Sequence, residues 1–222
     1  MALIAVRRPR LVTAAAAMLI LALASACGGG PAGPAPEPSS ATSASGAPVD
    51  LSNVLIQPAG FAAVPNDTTS GPLQTPDDVR RFFTDRPSDP AEILSHGFVG
   101  GYVREWQAPQ NLPPNGSTVI VAPSLLEVVL QFDTAAHAMT VEQYFRHARP
   151  AWPVTNFAVP SRLAAGYGQY QVQGSGTTAS YLYAVVWVSH NRLFDVGIDY
   201  SAPQKSADQV ISVAVTQSRA SP

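Results

Sequence analysis

The 222-residue chain predicts an α+β fold, a mainly antiparallel sheet with helices packed on it. Three observations carry this expectation. From Tyr167 to Tyr200 three strand-like stretches are separated only by Gly174-Ser175-Gly176 and Ser189-His190-Asn191, and connections that short join antiparallel neighbours. Upstream, the alternating stretches Phe98–Trp106 and Leu125–Phe132 stand apart from that meander across a helical pattern, so strands come in runs rather than in strict alternation with helices. No cysteine follows Cys27, so the fold stands on its apolar core, without disulfides or a thiolate metal site.

In chain order, Arg7, Arg8 and Arg10 open a leader whose run from Leu11 to Ala24 carries no charge, followed by Ser25, Ala26 and the only cysteine, Cys27. Basic start, apolar run and small residues are the plan of a secretory signal peptide, and the apolar run is short for a membrane span. With a cysteine directly after the small residues, Leu23-Ala24-Ser25-Ala26-Cys27 resembles the lipobox of bacterial lipoproteins. That resemblance implies cleavage between Ala26 and Cys27 and a diacylglyceryl group on the Cys27 thiol. It departs from the pattern at Ala24, where leucine is usual. A lone cysteine is more often a small buried hydrophobe, but Gly28, Gly29, Gly30 and Pro31 leave nothing to bury it with. An ordinary signal peptide or an uncleaved anchor is the alternative. Each buried methylene contributes about 0.8 kcal/mol, so two or more acyl chains hold a protein stably on a membrane.

Residues 1–26 thus read as the signal peptide and 27–49 as a tether of Gly, Pro, Ala, Ser and Thr that lacks the large side chains needed to offset its ordering entropy. Its typical span is roughly 25 Å. Residues 50–222 suit a single domain. The leader holds three of the 13 basic residues and none of the 15 acids, leaving 10 against 15, a formal −5, for the mature chain. A mildly acidic surface gives no electrostatic case for nucleic acid.

Leu51–Ile56 is ambiguous between strand and helix and leads into a loop around Pro58, Pro65 and Pro72. Thr75-Pro76-Asp77-Asp78 offers an N-cap, a proline in the first turn and acids at the positive helix end, ahead of Val79, Phe82 and Phe83. Asp89-Pro90-Ala91-Glu92 repeats that logic, and Gly97 supplies a left-handed stop. In the next strand, alternation puts Phe98, Tyr102, Arg104 and Trp106 on one face and Val99, Val103 and Glu105 on the other, while Gly100-Gly101 marks a bulge or a close backbone approach. Leu126, Val128, Leu130 and Phe132 share a face opposite Leu125, Glu127, Val129 and Gln131. From Thr134 the pattern turns helical through Ala138, Val141, Phe145 and Ala148, closing at Arg149 and Pro150. After the three-strand meander, Ala207, Val210, Ile211 and Ala214 make a final amphipathic helix.

The stretch Gly97–Trp106, the helix that follows Leu125–Phe132 and the hairpin closing on Val185–Tyr200 resemble actinobacterial, especially mycobacterial, Lpq-type lipoproteins across most of residues 50–218. The resemblance implies an α/β sandwich similar to PsbP and Mog1 and a place in the cell envelope. It supplies no catalytic motif.

The residues themselves hold no catalytic spacing either. A nucleophile elbow needs Gly-x-Ser-x-Gly, and Gly174-Ser175-Gly176 between Gln173 and Thr177 is a turn composition instead. His96, His137, His147 and His190 include no His-Glu-x-x-His pair. Asp133 and His137 are four apart on one helix face, but His147 lies about 80° round that helix, so no third ligand is visible and no metal or cofactor is expected. The candidate binding face is aromatic: Phe98, Tyr102 and Trp106 on one strand, Tyr181, Tyr183 and Trp187 on another. One reading makes them core, packed on both sides. The other makes them the lining of an apolar groove, if the two strands are neighbours. The functional expectation is a membrane-anchored envelope protein, non-catalytic, binding an apolar, lipid-like ligand or an envelope partner. A protein-interaction module without a pocket, or an envelope hydrolase whose Ser, His and Asp converge only in three dimensions, are the alternatives.

Overall fold

A strand whose side chains are apolar on both faces belongs inside a sheet, and Leu125–Phe132 is placed there. In the computed structural model, which describes residues 49–83, 88–109, 122–147, 153–163, 166–175, 179–204 and 206–221, eight strands form one antiparallel sheet with four helices packed on it. Cys27, Ala26, the leader and nearly all of the expected tether lie outside the described residues, as do Ala148, Arg149 and Pro150.

The elements are β1 (Ala62–Ala63), β2 (Gly71–Leu73), α1 (Pro76–Phe82), α2 (Ser88–Ser95), β3 (Phe98–Gln107), β4 (Ser124–Phe132), α3 (Ala135–His147), β5 (Val154–Phe157), β6 (Tyr167–Gln173), β7 (Ser180–Ser189), β8 (Arg192–Tyr200) and α4 (Asp208–Ala220). The sheet order is β1-β3-β4-β8-β7-β6-β5, and β2 also pairs with β3. β4 and β8 join the two halves, running antiparallel from Ser124 opposite Asp199 to Gln131 opposite Arg192.

Two apolar layers result. Leu125 and Val129 of β4, Val185 and Trp187 of β7, and Phe194, Val196 and Ile198 of β8 pack beneath Val210, Val213 and Ala214 of α4 and beneath Leu51, Leu55 and Phe61 of the N-terminal segment. On the other face Val128, Leu130, Phe132 and Leu193 meet Val79 of α1, Ile93 of α2, and Ala138 and Val141 of α3. Burying a side chain of this size contributes about 1.5–3 kcal/mol.

Several local expectations are met. Thr75 caps α1, its Oγ1 accepting from Asp78 N at 3.2 Å while Asp78 Oδ2 accepts from Thr75 N at 2.9 Å, a capping box. The double glycine serves both of its expected purposes. The β3–β4 register shifts between Phe98 and Gly100, and a Cβ on Gly101 would lie 2.9 Å from Val129 O, so β4 approaches too closely for any side chain.

Other expectations are corrected. Leu51–Ile56 is neither strand nor helix but a turn, with Val54 N donating to Leu51 O at 3.1 Å and with Leu51 and Leu55 buried. The proline-rich loop contains β1 and β2, strands too short to show a period. Val154–Phe157, unanticipated, forms the β5 edge; four residues with no clean alternation leave no signal. Asp89, expected as the N-cap of α2, lies inside the helix, which runs from Ser88. The β3 bulge flips Phe98 to the α1–α3 face, where its ring lies 6.3 Å from that of Phe132, away from Tyr102 and Trp106. A one-residue slip in a period of two reverses the face.

Gly97 ends α2 at φ +64°, and a Cβ there would overlap the Asp133 carboxylate. Gly97→Ala is expected to lower unfolding free energy by about 1–3 kcal/mol in urea titration, more than glycine-to-alanine exchange at an unconstrained site.

Candidate functional site

The described cavity that holds a buried, unsatisfied ionisable group lies between α4 and the N-terminal segment. It measures about 100 Å³ and is partly open. Ile56, Pro58, Ala59 and Val213 form its apolar walls, Gln209, Ser212 and Thr216 lie at its exposed α4 side, and Glu127 closes its floor.

Each part is positioned by a specific contact. Gln217, fully buried on α4, accepts from Ile56 N through Oε1 at 3.0 Å and donates through Nε2 to Val54 O at 2.6 Å and to Ser221 Oγ at 2.8 Å. One amide therefore stitches the N-terminal segment to the helix and sets the width of the cavity. Tyr200 OH donates to Gln209 Oε1 at 2.7 Å, orienting that side chain. Burial pushes the Tyr200 hydroxyl up to about 12, so it stays a donor.

Glu127 is 0% exposed. Its Oε2 accepts from Trp106 Nε1 at 2.8 Å, while Oε1 has no hydrogen-bond partner among the described residues. Desolvation raises its pKa from 4.5 to about 7, against the opposing effects of the Trp106 bond and the Arg104 charge. Arg104 faces Glu127 across the β3–β4 register, yet its guanidinium sits over the Tyr102 and Trp106 rings at 5.2 and 5.4 Å and donates to Tyr102 OH at 3.1 Å. No Arg104–Glu127 ion pair within 4 Å is found among the described residues.

The aromatic residues singled out in the sequence do not converge on a groove. β4 and β8 separate β3 from β7, so the condition for a shared lining fails. Trp187 is buried and stacks on Phe194 with centroids 4.9 Å apart, its Nε1 without a partner among the described residues. Tyr183 is buried against Tyr170 and Tyr200, its hydroxyl donating to Gln204 O at 2.8 Å. Tyr181 and Tyr102 are half-buried at the margin of the same layer, and Phe98 is on the other side of the sheet. Only Trp106 reaches the cavity's chemistry, through Glu127. Glu127 itself is legible as the one acid inside a mostly apolar strand, a signal that alternation alone assigns to a face without marking its depth.

Several other polar groups among the described residues are engaged locally. On the opposite face a cleft of about 190 Å³ is walled by Phe83, Phe145, Tyr167 and Gln171. Near it, Asp89 accepts from Tyr144 OH at 3.0 Å and Arg146 pairs with the buried Glu142 at 2.6 Å. His137 Nδ1 contacts Asp133 Oδ1 at 2.6 Å on the exposed end of α3. Among the described residues no three His, Cys, Asp or Glu side chains are placed to hold a metal. Two serine hydroxyls do reach histidines, Ser95 to His96 at 3.1 Å and Ser189 to His190 at 3.3 Å. Both contacts use Nδ1, and in His96 the same nitrogen also meets Glu92 O at 2.9 Å. A relay needs the serine on one ring nitrogen and the acid on the other, an arrangement neither pair has.

Glu127 gives stability a definite pH dependence. Its folded pKa exceeds its unfolded value, so the folded state binds more protons and stability is lost as pH rises from 4.5 through about 7. Glu127→Gln, which keeps an acceptor for Trp106, is expected to match the wild type near pH 4 and to exceed its unfolding free energy by on the order of 3 kcal/mol at pH 8. Urea titrations at both pH values check this, and an unchanged difference between them would refute it.

No protein-family model and no curated protein matches the chain. No described helix is long and apolar enough to cross a membrane. Among solved structures, the extracellular domain of PknH from Mycobacterium tuberculosis is similar at 13% identity and a TM-score of 0.35, covering 77% of this chain and 92% of that chain.

Proposed function

We propose that this chain is a cell-envelope lipoprotein, tethered to the membrane through Cys27, whose domain is a non-catalytic binding or accessory protein for an apolar, lipid-like ligand. The observation that supports the reading is the partly open, apolar-walled cavity between α4 and the N-terminal segment, with a single buried acid at its floor. A few convergent polar groups in an apolar hollow are the usual make-up of a small-molecule site. At about 100 Å³ the cavity takes one end of a ligand and leaves the remainder in the open mouth. The aromatic layer contributes rigidity to the cavity rather than its lining.

Two experiments test the two halves of the proposal. Cys27→Ala is expected to move the protein from the membrane fraction to the medium, and unchanged fractionation removes the lipid anchor. Thr216→Trp, at an exposed position beside the mouth, is expected to leave the melting temperature nearly unchanged. It should also strip from the protein any ligand mass seen in native mass spectrometry without detergent. An apo mass for the wild type, with no lipid binding in overlay, removes the binding role.

A further inference from the structure

Resting on the proposal that the cavity binds a ligand, we propose that it selects ligands ending in a primary ammonium on a short aliphatic chain, with Glu127 as the ion-pair partner. Glu127 Oε1 is buried without a hydrogen-bond partner among the described residues, and Glu127 lines a cavity whose other described lining residues are uncharged. Leaving such a group unmet costs about 1–3 kcal/mol, more when it is charged.

Three kinds of ligand end face that lining differently. A carboxylate or phosphate meets a carboxylate with no cation among the described lining residues, Arg104 being held on the Tyr102 and Trp106 rings. An alcohol satisfies Oε1 but leaves the charge uncompensated. A primary ammonium does both, and its two further N–H groups find acceptors on α4. Thr216 Oγ1 spends its proton on Ser212 O at 2.8 Å and keeps its lone pairs. Gln209 Oε1 accepts one bond from Tyr200 and has capacity for a second. Ile56, Pro58, Ala59 and Val213 then take the aliphatic part, and about 100 Å³ suits a few methylenes.

Occupancy is coupled to protons because the ion pair needs Glu127 ionised. The groups facing it decide that coupling. From β3 these are Arg104 and the Trp106 indole; from β8, its register partner Val196; from α4, the uncharged Gln209, Ser212, Val213 and Thr216; from the N-terminal segment, Ile56, Pro58 and Ala59. Without ligand the carboxyl titrates near 7, so affinity for the amine falls as pH drops below that value.

The test is calorimetric titration of the purified chain with n-butylammonium chloride, 1-butanol and sodium butyrate. At pH 8 butylammonium is expected to bind at least tenfold more tightly than butanol, with butyrate failing to compete. Lowering the pH to 6 should weaken the amine about tenfold in the wild type, a measurement that needs no variant. Glu127→Gln should bring the amine to the butanol level and abolish the pH effect. Butanol binding as tightly as butylammonium, or an amine affinity indifferent to both pH and Glu127→Gln, overturns the ammonium assignment. If Thr216→Trp abolishes that unselective binding, the cavity still binds ligands and only the assignment falls. If none of the three probes binds the wild type, the assignment falls together with its basis.

Discussion

The antiparallel pairing of β4 with β8 is the constraint on which the rest of this structure depends. It joins a half built from β1 to β4 with a half built from β5 to β8, strands separated in sequence by a whole helix and a meander. Because its register sets Leu125 and Val129 against one helix layer and Val128 and Leu130 against the other, each side chain of β4 is committed to a layer at once. A slip of one residue would exchange the two sets. It would also turn Glu127 away from the cavity beneath α4.

Within that frame Glu127 is the costly residue. Its strand is buried on both sides, and a carboxyl there loses water and regains one indole N–H. Unpaired charge in an interior is normally avoided by proton uptake, and the upward shift of its pKa is that response. A glutamine or leucine would pack more cheaply at the same position. The acid lines a hollow beside which Gln217 ties Val54 and Ile56 to α4 and Tyr200 orients Gln209.

The aromatic residues show how a pattern is readable while its meaning is not. Tyr181, Tyr183 and Trp187 do share a face, as alternation requires, and that face lies in the layer beneath α4. Whether aromatics on one face line a groove or fill a core depends on strand order, and here two strands intervene between β3 and β7. Phe98 changed sides because a bulge adds a residue without changing the apparent alternation. β5 and the two short strands beside β3 were silent because two to four residues cannot display a period.

The sequence by itself determined the fold class, the long strands, the α1 cap, the glycine that stops α2 and the tight turn between β7 and β8. All of these arise from local chemistry: side-chain period, capping hydroxyls and backbone freedom act over a few residues. It also carries a stretch ending at Cys27 that resembles a lipobox. Only the tertiary structure decided that β8 enters beside β4, that α4 and the N-terminal segment share one face, and that these two meet beside Glu127, Gln217 lying 161 residues beyond Ile56. Burial depth and cavity shape come from contacts between distant segments, and no local pattern encodes them.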